Sequence, residues 1–382
     1  MQIARTFFLD IRTLTQKIKG ESRELGFSLV GITSPNPPAH LDIYQSWLLS
    51  GRNGQMEYLA TKRAIERRAD PRRILPECQS ILVLGIPYDK PDRQPKLKDG
   101  EGKIAAYAWG QDYHDVLIPR LKALVDFTER LVGHSVPNRW YTDSGPLLER
   151  ELAQRAGLGW IGKNTMLINP QKGSYFLLAE ILLGLELELD NPITVDHCGS
   201  CRRCIDACPT NCILEDRTLD ATRCISYLTI ELNDPVPKDL RPKMGSWIFG
   251  CDICQTVCPW NERFAPAKGD PSFSKIQPAA LNEEIKLDPT EFNKKFKLSP
   301  VKRAKRRGYL RNTAIALGNM GNPGDVATLS RALSDKEPMV RGHAAWALGK
   351  INNEAAQEEL RMAFQKENDP WVQREIQRAL TK

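Results

Sequence analysis

Apolar positions follow different rhythms in different parts of this chain. In the first part, short continuous runs alternate with helical spacing. Gln79–Tyr88 (QSILVLGIPY) is apolar through its centre and is closed by Gly85 and Pro87, which predicts a fully buried strand. Leu121, Leu124, Val125, Thr128 and Leu131 share one helical face and predict a helix over 121–132. Leu147, Leu148, Glu151, Leu152 and Arg155 do the same over 147–156, with Ser144 and Pro146 as start signals and Gly157 as a stop. Met166–Ile168 reads as a further short strand. Strand and helix alternate, so residues 1–188 form an α/β domain. Residues 189–285 carry many prolines and few long periodic runs, so a bound metal must supply part of their folding energy.

The last part, 286–382, repeats itself. Ala314-Ile-Ala-Leu-Gly318 returns 31 residues later as Ala345-Trp-Ala-Leu-Gly349, and Glu337-Pro-Met-Val340 returns 32 residues later as Asp369-Pro-Trp-Val372. Helical spacing at this period predicts stacked helix pairs, and the pattern resembles HEAT-like repeats. Roughly two and a half units are fewer than the about three a free-standing solenoid needs, so the module leans on the domain before it.

Composition narrows the class. Of 382 residues, 41% are hydrophobic and 26% charged, as in a folded, water-soluble chain. The longest candidate membrane stretch, Phe176–Leu189, is interrupted by Glu180, Glu186 and Glu188. The N-terminal segment has only the apolar run Phe7–Leu9, with neither a signal-peptide core nor a twin-arginine pair, so a cytoplasmic protein without membrane attachment is expected. Ten cysteines in such a chain point to a metal or redox centre rather than disulfides. The net charge of +7 is concentrated: nine basic residues and one acid lie between Glu291 and Arg311, leaving the rest near neutral.

The cysteines carry the strongest chemical signal. His197-Cys198-Gly-Ser-Cys201-Arg-Arg-Cys204-Ile-Asp-Ala-Cys208-Pro209 is C-x2-C-x2-C-x3-C-P without deviation. A second set comprises Cys224 and, 27 residues on, Cys251-Asp-Ile-Cys254-Gln-Thr-Val-Cys258-Pro259. In such paired runs the fourth cysteine serves the other cluster. Crossing them gives Cys198, Cys201, Cys204 and Cys258 for one 4Fe–4S cluster, and Cys208, Cys224, Cys251 and Cys254 for a second. Structural zinc is the alternative, but zinc knuckles do not need this run. Cys212 and Cys78 fall outside both sets and read as small buried residues. Paired clusters carry single electrons; they do not name the acceptor.

The α/β part has neither a G-x-G-x-x-G nor a G-x-x-x-x-G-K-[ST] fingerprint. Gly157–Thr165 comes nearest, and reads either as an ordinary turn or as backbone brought close to a large flat ligand. Asp143, in Tyr141-Thr-Asp-Ser-Gly-Pro146, reads as a helix cap or as an acid in a site. Tyr107–His114 gathers aromatics and a titratable pair. From residues alone, this part is a site for a redox cofactor or substrate.

The chain resembles the epoxyqueuosine reductases, cobalamin-dependent iron–sulfur enzymes of tRNA modification. The resemblance is carried by Arg68-Ala-Asp-Pro71, Gly110-Gln-Asp-Tyr-His114, Tyr141–Pro146, Gly159-Trp-Ile-Gly-Lys-Asn-Thr165, both cysteine runs, Cys224-Ile-Ser-Tyr-Leu-Thr-Ile-Glu231 and the repeat tail. Reductive dehalogenases share the N-terminal and cluster architecture, but usually carry an export signal and lack the tail. The resemblance implies an α/β cobalamin domain over 1–188, a ferredoxin-like double-cluster domain over 189–285 and a basic linker with HEAT-like repeats over 286–382. It implies reduction of epoxyqueuosine to queuosine at the wobble position, electrons passing from an external donor through both clusters to cobalamin. Asp143 would protonate the departing oxygen, which requires a proton affinity above that of a free aspartate at ~3.9. Arg68, Leu167 and Asp252 match motif positions for cobalamin contacts. Lys302, Arg303, Lys305, Arg306, Arg307 and Arg311 would meet tRNA phosphates, with a solvated helix face as the plainer reading. A monomer is expected. Two other functions stay open on sequence: a cobalamin reductase of a small halide or epoxide, and a non-catalytic electron-transfer adaptor.

Overall fold

The computed structural model describes residues 10–91, 100–274 and 279–381; the Phe7–Leu9 run lies outside them. The first hydrophobic strands are β1 (Leu29–Thr33) and β2 (Ser80–Pro87). They are followed by β3 (Glu101–Ile104), β4 (Asn138–Tyr141), β5 (Trp160–Ile161), β6 (Leu167–Ile168) and β7 (Phe176–Leu183). Two short strands, β8 (Trp247–Phe249) and β9 (Ala279–Ala280), come later. The main sheet has the order β1-β2-β7-β4 and every pairing in it is antiparallel.

Strand β2 is buried up to its final proline, as its continuous apolar run predicts. Its side chains serve two cores. Leu82, Leu84 and Ile86 pack with Leu14, Ile18, Leu117 and Leu121, whereas Ile81 and Val83 face Leu147, Leu152 and Ala153. Helices therefore cover both faces of the sheet. A doubly covered strand reads as an apolar run whatever its direction, so mixed helix and sheet was legible and the antiparallel pairing was not.

The helix expected over 121–132 is the second half of Tyr113–Val132, which starts where Asp112 accepts the His114 N–H. Pro119 lies inside it, and Gly133 ends it in a left-handed conformation at φ 80°. The helix expected over 147–156 is shorter, Glu149–Arg155, and its cap residue Leu148 makes no side-chain cap bond. Ser144 and Pro146 belong to the preceding turn, so the capping role for Asp143 falls away.

Strand β3 pairs with β8 and β9, stitching the first part of the chain to the cysteine-rich part. One hydrophobic core then runs from Ile225, Leu228 and Phe249 to Leu348, Val372 and Ile376. The expected boundary at 285/286 is thus no break in packing: the repeats lean on the preceding segment. The repeat is built from helices Lys305–Met320, Val326–Ala332, Pro338–Ile351, Glu354–Phe364 and Pro370–Leu380. The motif glycines mark helix crossings. A Cβ on Gly318 would come within 2.8 Å of Ala347, and one on Gly349 within 2.6 Å of Ala379.

Polar ties reinforce the junction. Asn312 Nδ2 donates to the carbonyls of Thr229 (2.8 Å) and Ile248 (2.9 Å). Arg241 and Glu375 form an ion pair at 2.6 Å with both side chains only 2% exposed. Removing one member strands the other charge in the interior. Glu375→Ala is therefore expected to cost about 3–5 kcal/mol, read as a large fall in the midpoint of thermal unfolding. A shift no larger than that of an exposed Glu358→Ala control would contradict it.

Candidate functional site

The cysteines converge in two places. Cys198, Cys201, Cys204 and Cys258 line one cavity of about 240 Å³, walled by Trp260, His197 and Lys163. The ring of Trp160, buried in the adjoining core, packs at 4.8–4.9 Å against those of His197 and Trp260. Burial raises the Cys204 thiol pKa, and the neighbouring Cys198 and Cys258 raise it further. Cys208, Cys224, Cys251 and Cys254 line a second cavity of about 380 Å³. Burial pushes Cys254 up, and Cys224 adds to the shift. The first cavity takes the four cysteines of one crossed set, and the second takes the four of the other together with Cys212. Cys212 is buried as expected, yet it is not remote: its Sγ lies 3.4 Å from that of Cys208 and within hydrogen-bonding reach of Cys224. Cys78 is buried beside the sheet.

Asp143 stands where two cavities meet. It lines the cavity of Cys251 and Cys254, and also a neighbouring one of about 350 Å³ walled by Tyr44, Trp47, Arg68 and Leu59. Its backbone is left-handed at φ 58°, a conformation that costs a non-glycine residue roughly 1 kcal/mol and persists only where the surroundings enforce it. Tyr113 donates its hydroxyl to Asp143 Oδ2 at 2.7 Å. Burial and then the Asp143 carboxylate hold that phenol well above its ordinary pKa, so it stays a donor. Stacking on His114 at 4.2 Å keeps its ring in place.

The glycine-rich stretch is a clamp and not a phosphate loop. Lys163 Nζ donates to the carbonyls of Gly199 (2.7 Å) and Cys201 (3.0 Å), tying the loop to the first cysteine run. Arg150 bonds both oxygens of Thr165. Thr165 lines both cavities, and Asn164 and Met166 line the one that holds Cys251 and Cys254. The expected cofactor contacts divide. Arg68 is buried, reaches the Gly145 carbonyl at 3.4 Å and lines the Asp143 cavity. Asp252 lines the cysteine cavity, and its Oδ2 accepts the Ala106 N–H at 2.7 Å. Burial pushes Asp252 up to about 7. The Leu167 side chain belongs to the core with Leu152 and Leu158, and its neighbours Thr165 and Met166 line the cavity.

The residues 68–144 match the family description "Epoxyqueuosine reductase QueG, DUF1730", 197–261 match "4Fe-4S double cluster binding domain", and 304–381 match "HEAT repeats". The epoxyqueuosine reductase of Xanthomonas campestris pv. campestris is 41% identical over 343 residues, spanning 87% of this chain and 94% of that protein. The chain belongs to the epoxyqueuosine reductase family. The Escherichia coli K12 member is 38% identical over 89% of this chain and 90% of its own length. A crystal structure of a selenomethionine-labelled epoxyqueuosine reductase superposes with a TM-score of 0.89 at 31% identity, covering 97% of this chain and 99% of that one. A second, at 0.87 with the same identity and coverage, holds an epoxyqueuosine-modified tRNA-Tyr stem loop. The Bacillus subtilis epoxyqueuosine reductase, also at 0.87, with 31% identity and the same coverage, is described with its catalytic aspartate loop swung out of the active site.

Against this family background the basic stretch splits in two. Lys302, Arg303 and Lys305 are exposed and Arg307 is half-buried. Arg303 pairs with Glu231, and its guanidinium lies 5.9 Å from the Tyr58 ring centre. Arg306 is committed to Asp335 and the Leu287 carbonyl. Arg311 is a correction: it is 1% exposed and donates to the carbonyls of Leu228, Leu232 and Asp234, so it holds the repeats to the preceding helix and meets no phosphate. A charge count could not separate these roles. Sequence reasoning also passed over Tyr113 as a partner of Asp143, and over Arg150, Glu149 and Glu180. The signal for Glu180 was there, as an acid inside an otherwise apolar strand. Arg311→Ala is expected to lower thermal stability by about 3 kcal/mol, because three buried carbonyls lose their donor. Lys302→Glu with Lys305→Glu should leave stability within about 0.5 kcal/mol. Equal stability losses in the two variants would contradict the division.

Proposed function

We propose that this chain reduces epoxyqueuosine to queuosine at the wobble position of tRNA, with Asp143 as proton donor. One observation carries the reading: Asp143 lies at the junction of a cavity that ends on the second cysteine set and a cavity walled by Tyr44 and Trp47, and its charge acts on Arg303 of the basic stretch. The overall change is epoxide plus two electrons and two protons to alkene plus water. The C–O bonds break and oxygen leaves protonated, so an acid must stand beside the departing oxygen. Asp143 is itself exposed to the cavity, so what covers it during the reaction is what fills that cavity.

The eight cysteines would hold two 4Fe–4S clusters in the crossed sets, the second nearer to Asp143. Single electrons would enter from an external donor. The cavity between Cys251, Cys254 and Asp143 suits cobalamin. Its walls combine aromatic rings (Tyr88, Tyr107, Tyr113) with polar groups at opposite ends, so a broad flat ligand would touch both the cluster side and the acid. Arg68, Asp252 and the Thr165–Leu167 backbone are the residues that would hold it. Cobalamin, when bound, supplies a strongly nucleophilic low-valent cobalt suited to opening a strained ring. The polypeptide's own part is to orient the substrate, exclude water and deliver the proton: Tyr113 fixes Asp143 Oδ2, and Arg150 braces the facing loop.

For substrate, Lys302, Arg303, Lys305 and Arg307 would track phosphates, giving affinity without sequence information. Specificity would come from the unstacked anticodon base entering the cavity lined by Tyr44 and Trp47. With tRNA as substrate, the reaction belongs in the cytoplasm, and the chain would act as a monomer.

The function is tested by incubating the reconstituted, cobalamin-loaded chain and a reductant with an anticodon stem loop carrying epoxyqueuosine. The product should be lighter by one oxygen and should form only with cobalamin present; an unchanged mass would reject the reading. The crossed ligand sets have a separate test by iron analysis after reconstitution. Cys198→Ala with Cys258→Ala should keep about half the iron, whereas Cys251→Ala with Cys258→Ala should lose nearly all. The reverse pattern would mean uncrossed runs.

A further inference from the structure

Beside the Asp143 turn lie two carboxyl side chains that the reaction above leaves unused, of which Glu149 is half-buried and also lines the Tyr44 and Trp47 cavity. Glu149 opens the helix Glu149–Arg155, and Glu180 sits in β7, opposite Tyr141 of β4 on one side and Val83 of β2 on the other. Glu180 has no solvent exposure. Glu149 Oε1 and both oxygens of Glu180 are buried, and among the described residues none of the three has a hydrogen-bond partner. The two carboxyl groups face each other. The other charged groups near Glu149 are Asp143, Arg150 and Arg68; near Glu180 they are Glu149 and Asp143. Neither arginine is hydrogen-bonded to the pair, since Arg150 is bonded to Thr165 and Arg68 to the carbonyls of Ala64 and Gly145, and their charges offset only part of the effect of burial on Glu149.

Two ionised carboxylates facing each other in the interior would repel and lack solvation, whereas two carboxyls that share protons hydrogen-bond each other. Tyr141, which pairs with Glu180 across the sheet, and Glu149 stand at the two ends of the Asp143 turn. A bond between the two carboxyls therefore spans the residue whose left-handed backbone needs enforcement. We propose that Glu149 and Glu180 form a proton-sharing carboxyl pair that fastens the Asp143 turn in place by tying its two ends together, each carboxyl letting the other stay without charge. Burial, then the Asp143 charge, pushes Glu149 up to about 8, and Glu180 lies further above its ordinary range. A neutral pair also adds no negative charge beside the acid. Glu149 and Glu180 are positioning residues. Their catalytic consequence rests on Asp143 being the proton donor; the fastening itself does not.

The test is hydrogen–deuterium exchange of the full chain at neutral pH, following peptides that cover 141–148, together with infrared spectra of the same samples. Glu149→Ala removes one member of the pair and should speed exchange of the turn about tenfold, whereas Glu149→Gln keeps a neutral hydrogen-bonding partner for Glu180 and should stay within about twofold of the parent. In turnover, Glu149→Ala should lower kcat and leave KM for the stem loop unchanged. The infrared band of protonated carboxylic acid should weaken in Glu180→Gln and in Glu149→Gln. Parental exchange in Glu149→Ala, exchange in Glu149→Gln as fast as in Glu149→Ala, or an unaltered band in both glutamine variants would each overturn the proposal. Should Glu149→Ala not fold, the band in the two glutamine variants decides. Full turnover by Asp143→Asn would remove the donor role and leave the exchange result standing.

Discussion

Thiolates brought together in so small a space repel one another, and that constraint organises much of this molecule. Nine cysteines line two cavities that share one short stretch of chain, the eight of the two sets and Cys212. Burial raises the cost of ionising Cys204 and Cys254, and the neighbouring sulfurs raise it further. Iron is what turns such a group from a liability into a fold-stabilising centre, because ligand thiolates neutralise the metal charge. The segment that carries them is poor in long apolar runs and depends on its neighbours. Strand β8 joins β3 on one side, and the repeat helices share a core with Ile225 and Phe249 on the other.

That dependence places the chemistry. The cysteine loops are gripped from the α/β side by Lys163 on the Gly199 and Cys201 carbonyls, while Asp252 ties the second run to Ala106. The cavity between these grips is bounded at its far end by Asp143, which the sheet edge presents through β4. Arg303, just before the first repeat helix, lies next to Tyr58. The cysteine cavities, the acid and the basic stretch are thus tied together by contacts that cross the expected domain boundaries.

Much of this was legible in sequence, for identifiable reasons. Cluster ligation imposes spacing, so the gathering of the cysteines around two cavities was legible, with Cys258 beside the first run and Cys208 beside the second. The repeat glycines Gly318 and Gly349 recur because each faces an alanine of the next helix, which makes the crossing visible as a motif. Sheet direction was hidden, since burial on both faces erases the alternation that would distinguish pairings. Asp143 read equally as a cap because Ser144 and Pro146 imitate a helix start, whereas the chain makes a strained turn there first. Arg311 and Arg306 were indistinguishable from Lys302 in a charge count; only packing shows which guanidinium is spent on carbonyls or carboxylates. Glu180 was visible as an anomaly, but its meaning required Glu149 opposite it.

The central claim is that Asp143 gives its proton to the departing oxygen. Turnover of Asp143→Asn, loaded with both clusters and cobalamin and assayed on an epoxyqueuosine stem loop, tests it most directly. The account predicts a loss of about a hundredfold or more, the size of a missing general acid, with stem-loop affinity unchanged. Turnover at the parental rate would contradict it.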